Sequence, residues 1–200
     1  MIRPPRDDEG VSLVELIVAM GLMAMVGVMF TTGILQVHSS LNKADSTAEA
    51  QGQINAAYLR LDQEIRYARG VSTPATVSGD YYVEYLVELK SVATCVELRL
   101  HTTTKELQRR QWTQGASPLK PTSWTTLASN VTGTTPFTTT VADGSSLTGL
   151  RFQTLALNVT STSGLGGKAT QRATNVSFTA MNTAVADNST TCIQARSVSS

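Results

Sequence analysis

The chain has 200 residues, of which 16% are charged, and a formal net charge of +1; soluble domains usually carry ~25% charged residues. No basic stripe or tail is present, so nucleic acid is not expected as a partner. The length allows one apolar anchor and one soluble domain with its own core.

Residues 1–10 hold Arg3, Pro4, Pro5 and Arg6, then Asp7, Asp8 and Glu9 before Gly10. They read as a leader outside the mature fold; without its two arginines and three acids the net charge becomes +2. From 11 to 37 the sequence is apolar, 27 residues in all. At 1.5 Å each these reach roughly 40 Å of helix, against about 30 Å of hydrocarbon. Glu15 lies inside this run, where a carboxylate costs roughly 2.5–3.5 kcal/mol on insertion scales, so it needs a partner or a task. Three ordinary readings compete. Glu15 could complement the helix dipole, which leaves Gly10 unexplained. A signal peptide has a shorter apolar core, of about 7–15 residues, and a small-residue cleavage site. A plain signal anchor meets the length but gives the acid no role.

Gly10 followed by Val11-Ser12-Leu13-Val14-Glu15-Leu16 resembles the class III leader of type IV pilins and pseudopilins. The resemblance implies that a prepilin peptidase cuts after Gly10, that Val11 becomes the N-methylated first residue, and that Glu15 is the glutamate at mature position five. Two departures are visible: Val11 stands where Phe is usual, and Thr32 where many pilins place a kinking Pro. Gly21, Gly27 and Gly33 recur every six residues, off the GxxxG spacing.

Residues 38–70 continue as an amphipathic helix. Leu41, Ala44, Ala48, Gln51, Ile54, Tyr58, Leu61, Ile65 and Ala68 follow three- and four-residue steps. No proline interrupts 11–69, so one helix is expected, with a lipid part and a domain-facing part. Asp62 and Arg66 are spaced for an i,i+4 pair. Gly70 is expected as the C-cap, with Pro74 confirming the stop. A coiled coil would need a longer, less alanine-rich repeat.

From 71 to 200 a β-rich domain is expected. In 82–90 Val83, Tyr85, Val87 and Leu89 share one face, and Glu84, Glu88 and Lys90 the other. In 95–103 Val96, Leu98 and Leu100 face in, while Cys95, Glu97, Arg99 and His101 face out; the two segments read as an antiparallel pair. Cys95 then sits at a strand start on the outward face, within reach of a returning tail. Residues 106–113 form a third strand, with Arg109-Arg110 read as a solvated strand end. Residues 115–123, with Pro118 and Pro121, read as a loop; 124–131 and 137–141 are short strand candidates. In 150–159 the apolar parity switches between Phe152 and Leu155, which suggests a bulge. Residues 161–168 are a loop with no phosphate-binding spacing, and 175–181 a strand with Val176, Phe178 and Ala180 inward. From Thr183 on, the tail is polar and held only through Cys192 and Ile193.

The predicted fold class is α+β, a long N-terminal helix packed on an antiparallel sheet. The resemblance implies the same architecture, and the strand layout is similar to the larger minor pilins of the J/W type. Glu15 argues against the K-type tip pseudopilin, whose family lacks that acid. The domain scheme is 1–10 leader, 11–37 transmembrane or filament-core helix, 38–70 amphipathic helix and 71–200 globular domain.

Two cysteines suit an extracytoplasmic disulfide. Bonded, Cys95 and Cys192 close a loop near 100 residues, for roughly 4–5 kcal/mol on the chain-entropy model; two separate buried thiols are the alternative. His38 and His101 read as solvated side chains. Asp80, Asp143 and Asp187 fall in separate loops, and no metalloprotease, CxxC, nucleophile-elbow or P-loop motif occurs. The sequons at Asn130, Asn158 and Asn188 follow from a Thr-rich composition. The expectation is a structural subunit rather than an enzyme, with no cofactor and no metal. Its implied partners are other pilin or pseudopilin subunits, a prepilin peptidase, an inner-membrane assembly platform and the membrane itself. It would sit in the inner membrane as a single-pass protein, its C-terminal domain extracytoplasmic, and become extracellular when assembled in a filament. A membrane-anchored adhesin or sensor domain and a DNA-uptake minor pilin are the competing readings.

Overall fold

The computed structural model describes residues 12–140, 152–163, 169–183, 190–196 and 198. Among these residues one α-helix, α1 (Leu13–Arg66), is followed by ten antiparallel strands in two sheets. The chain forms two compact units, Met1–Ala44 and Asp45–Ser200.

In the first unit α1 is apolar and its large side chains, from Leu13 to Leu41, are all exposed. An 18-residue window of this helix has a mean hydropathy of 2.4, enough by length and composition to cross a membrane. Its hydroxyls turn inward on the helix itself: Thr31, Thr32 and Ser40 donate to the carbonyls of Gly27, Val28 and Gln36. That satisfies their polarity without solvent.

In the second unit the helix buries Ile54, Ala57, Leu61 and Ile65, followed by Ala68 beyond its end. Of the expected stripe Ile54, Leu61, Ile65 and Ala68 are buried and Gln51 half-buried, while Leu41, Ala44 and Ala48 are exposed. Tyr58 is 37% exposed, although its ring lies 5.4 Å from that of Phe178, and Ala57 fills the slot beside it. Asp62 and Arg66 pair at 2.8 Å, as their spacing predicts. Gly70 is not the C-cap. The helix stops at Arg66, the Arg69 N–H donates to the Leu86 carbonyl at 2.7 Å, and Gly70 already lies in a strand. A sheet partner thus ends the helix before a left-handed cap is needed.

The first sheet contains β1 (Gly70–Val71), β2 (Ala75–Val77), β3 (Asp80–Leu89), β4 (Val92–His101), β5 (Glu106–Thr113) and β6 (Thr125–Ser129), with β1 and β2 both on β3 and the order β3-β4-β5-β6 beyond. The second contains β7 (Val131–Thr132), β8 (Phe137–Thr140), β9 (Gln153–Ser163) and β10 (Thr170–Ala180), with β10 on one side of β9 and β7 and β8 on the other. The strands thus divide between two sheets. One apolar core joins α1 to both through Val83, Tyr85, Val96, Leu98, Leu155 and Phe178, among others.

No bulge lies in β9. It pairs with β10 without a shift from Gln153 opposite Ala180 to Ser163 opposite Thr170, and Phe152 falls before the strand. Gln153 takes an inward slot instead, its Oε1 accepting from the Val71 N–H at 2.9 Å. Among the described residues a register shift does occur at Leu107/Gln108, where β5 pairs with β6.

Candidate functional site

Glu15 lies in the first turn of α1, exposed, among Leu13, Leu16 and Ile17, which are exposed too. The first helical bond runs from the Leu16 N–H to the Ser12 carbonyl at 3.1 Å. Gly10 and Val11, the expected cleavage and N-terminal residues, lie outside the described residues, as do Asp143 and Asp187. Glu15 is the only Asp, Glu, Lys or Arg between Leu13 and Asn42. The chain therefore presents a long apolar surface bearing a single ionisable acid at one end.

The helix is fixed to the first sheet by a polar knot. Tyr85 donates to Glu64 Oε2 at 2.5 Å, Arg109 Nε to the same oxygen at 3.0 Å, and Arg60 Nε to Glu64 Oε1 at 3.1 Å. Burial, then the Glu64 charge, push the Tyr85 hydroxyl well above its usual range, so it keeps its proton for the bond.

The other face of that sheet departs most from expectation. Glu84, Glu97 and Arg110 were expected on a solvated face, but they are 0%, 0% and 1% exposed. Register places Glu84 opposite Glu97 and Glu97 opposite Arg110, one charged row across three strands. The C-terminal segment covers this row. Arg110 donates to Glu97 at 2.5 Å and to the carbonyls of Ala195 and Val198 at 2.6 and 3.0 Å. Arg196 reaches back to Glu84 with contacts of 2.7 and 2.5 Å, and to the Thr73 carbonyl. The Ser72 hydroxyl also donates to Glu84. Each buried acid thus has a guanidinium, which is the condition for tolerating it. Glu97 Oε1 nonetheless has no hydrogen-bond partner, and burial pushes the Glu97 carboxyl up to about 7, against the opposing pull of Arg110. The Trp124 ring takes both Arg99 and Arg110 at 4.1 Å from its centroid.

Two residues along, on the same face, Leu86, Cys95 and Trp112 stand side by side. Cys95 is bonded to Cys192 and is 1% exposed. It sits in the body of β4 rather than at a strand start, because β4 begins at Val92, and its outward face is covered rather than solvated. Arg109-Arg110 is likewise no solvated end. One arginine serves each face of β5. His101 remains half-exposed near the sheet end, its Nδ1 accepting from the Thr104 N–H at 3.2 Å.

Comparison of the chain with family models, with curated proteins and with solved structures finds no match.

Proposed function

We propose that this chain is a prepilin-like structural subunit, a minor pilin or pseudopilin. A prepilin peptidase cuts it after Gly10, Val11 is N-methylated, and the product enters a type IV pilus or type II secretion-type filament through an inner-membrane assembly platform. One observation carries the reading: a lone acid, Glu15, in the first turn of a helix whose every other residue as far as Asn42 carries no Asp, Glu, Lys or Arg side chain. An acid is expensive in lipid and is kept where it has a counter-charge. Cleavage would create that charge, an amine on Val11, at the depth of a neighbour's Glu15. Pairing offsets the burial cost of both groups and is lost out of register, so Glu15 would set register while the apolar surface supplies packing. The disulfide-bonded β domain accords with an extracytoplasmic location for the second unit.

The test joins processing to assembly. The N-terminal peptide of the protein isolated from its host should begin at methylated Val11. Glu15→Ala should be folded, cleaved and membrane-inserted, yet absent from sheared filaments. A chain that still begins at Met1 would reduce the protein to an anchored β-rich module, and normal incorporation of the alanine variant would remove Glu15 from assembly.

A further inference from the structure

The two sheets end in strands of very different length. At one end of the first sheet β1 and β2 have 2 and 3 residues, and at the other β6 has 5. In the second sheet β7 and β8 have 2 and 4, whereas β10 has 11. A free strand edge is a row of unpaired N–H and C=O groups, which proteins blunt by shortness, proline, lysine, bulges or a cover. β10 has none of the first four. Among the described residues it is bonded on one side only, to β9, and its register with that strand is unbroken. It contains neither proline nor lysine, and Gln171, Arg172, Ala173, Asn175 and Ser177 are exposed.

A recess runs beside this edge. The even-numbered side chains of β10 turn toward α1: Phe178 meets Tyr58, and Val176 packs on the core. Nearer the strand start the packing opens into a groove of about 360 Å³, lined by Gln51, Ile54 and Asn55 of α1 and by Ser161, Arg172 and Thr174. Among the described residues the Arg172 guanidinium has no hydrogen-bond or ion-pair partner, although its carbonyl accepts from Ser161 Oγ at 3.4 Å.

We propose that β10 is a strand-addition site for an extended segment of another protein. The segment continues the second sheet along residues 170–177 and drops alternate side chains into the groove, with a carboxylate against Arg172. Main-chain bonds give such complexes their affinity, and alternate side chains their selectivity. Charge argues for a different protein over a second copy. β10 carries no acid, so two copies joined edge to edge would leave both Arg172 side chains unmatched. Gln51 and Asn55 offer amides to the hydroxyl or amide side chains of the incoming strand.

The test selects a phage-displayed library of random nine-residue peptides on the full chain in detergent micelles, with empty micelles as the counter-selection. Enriched peptides should alternate β-branched or hydroxyl residues and hold Asp or Glu at one fixed position; on Arg172→Glu that position should change to Lys or Arg. In the best synthetic peptide, N-methylation of alternate amides along one edge should weaken binding at least about tenfold, and along the other edge leave it unchanged, the signature of one-sided strand pairing. No enrichment over empty micelles would overturn the proposal. So would peptides indifferent to Arg172→Glu, or equally sensitive to methylation on both edges. Selection of acid-free sequences like β10 itself would assign the edge to a second copy instead.

Discussion

Glu97 sits in β4 between Glu84 and Arg110, with one oxygen on a guanidinium and the other on nothing. Two acids and two arginines balance in number, yet a buried acid with an empty lone pair carries a desolvation cost that one ion pair does not cancel. Its folded-state carboxyl titrates at about 7 rather than near 4.5. The sign follows from proton counts. Between those values the folded chain holds a proton on Glu97 that the unfolded chain has released, so stability falls as pH rises through the window. Glu97→Gln removes that dependence while keeping the shape. Compared with wild type it should therefore gain progressively in melting temperature from pH 4.5 to pH 7. Paired thermal unfolding curves across that range check this, and parallel pH profiles for the two proteins would refute it. The row is also where period-two reading stops. Alternation correctly puts Glu84 and Glu97 on a face opposite Val83, Val96 and Leu98, but it leaves Arg110 as a strand end. It is silent about what covers that face, because the covering tail has few apolar residues to announce it. Cys95 was the available signal, since an outward cysteine with a distant partner implies that the tail lies across its strand.

At the scale of elements, the long strands were legible because each buries one face against the helix. β3, β4 and β5 fall within three residues of their expected positions and α1 within three at either end, while β10 ends one residue early but begins five residues earlier than expected. The short strands β1 and β2 were not expected for a physical reason: two or three residues cannot display a period, whereas β8 falls on the 137–141 candidate and the 124–131 candidate takes in β6 and the first residue of β7. The C-terminal segment is the element most dependent on particular bonds. Among its described residues it contains only a three-residue 3-10 turn, Ile193–Ala195, and it is held by the disulfide, by Arg110 on two of its carbonyls and by Arg196 on Glu84. Cys95 and Cys192 are 97 residues apart, a loop whose cross-link is worth about 4–5 kcal/mol on the chain-entropy model. Replacing both cysteines by serine should shift the denaturant midpoint by a corresponding amount, and limited proteolysis should cut first within 190–198. The Tyr85–Glu64–Arg109 knot lies on the opposite face and should hold the helix on its sheet in the same variant. A tail as protected as in wild type would mean that the arginines alone retain it.

At the scale of the whole molecule, the two compact units obey different solvents. Every residue of the apolar core, from Ile54 onward, belongs to the second unit, while the large apolar side chains of the first are exposed. Burial of apolar surface is the main favourable term in folding, at roughly 25 cal/mol per Å², so residues 13–44 contribute little of it within one chain. In the proposed function that surface is taken up by lipid or by neighbouring subunits. A chain beginning at Asp45 should therefore fold by itself. It keeps all of Ile54, Ala57, Leu61 and Ile65, the Glu64 knot and the disulfide. Its new helix start carries Asp45 and Glu49, acids that suit the positive end of the dipole. The expected result is one cooperative calorimetric transition within a few degrees of the full chain in micelles, together with complete loss of detergent partitioning. A broad, non-cooperative melt would show that the apolar half of α1 supports the domain directly, and the division of labour between anchor and β domain would have to be abandoned.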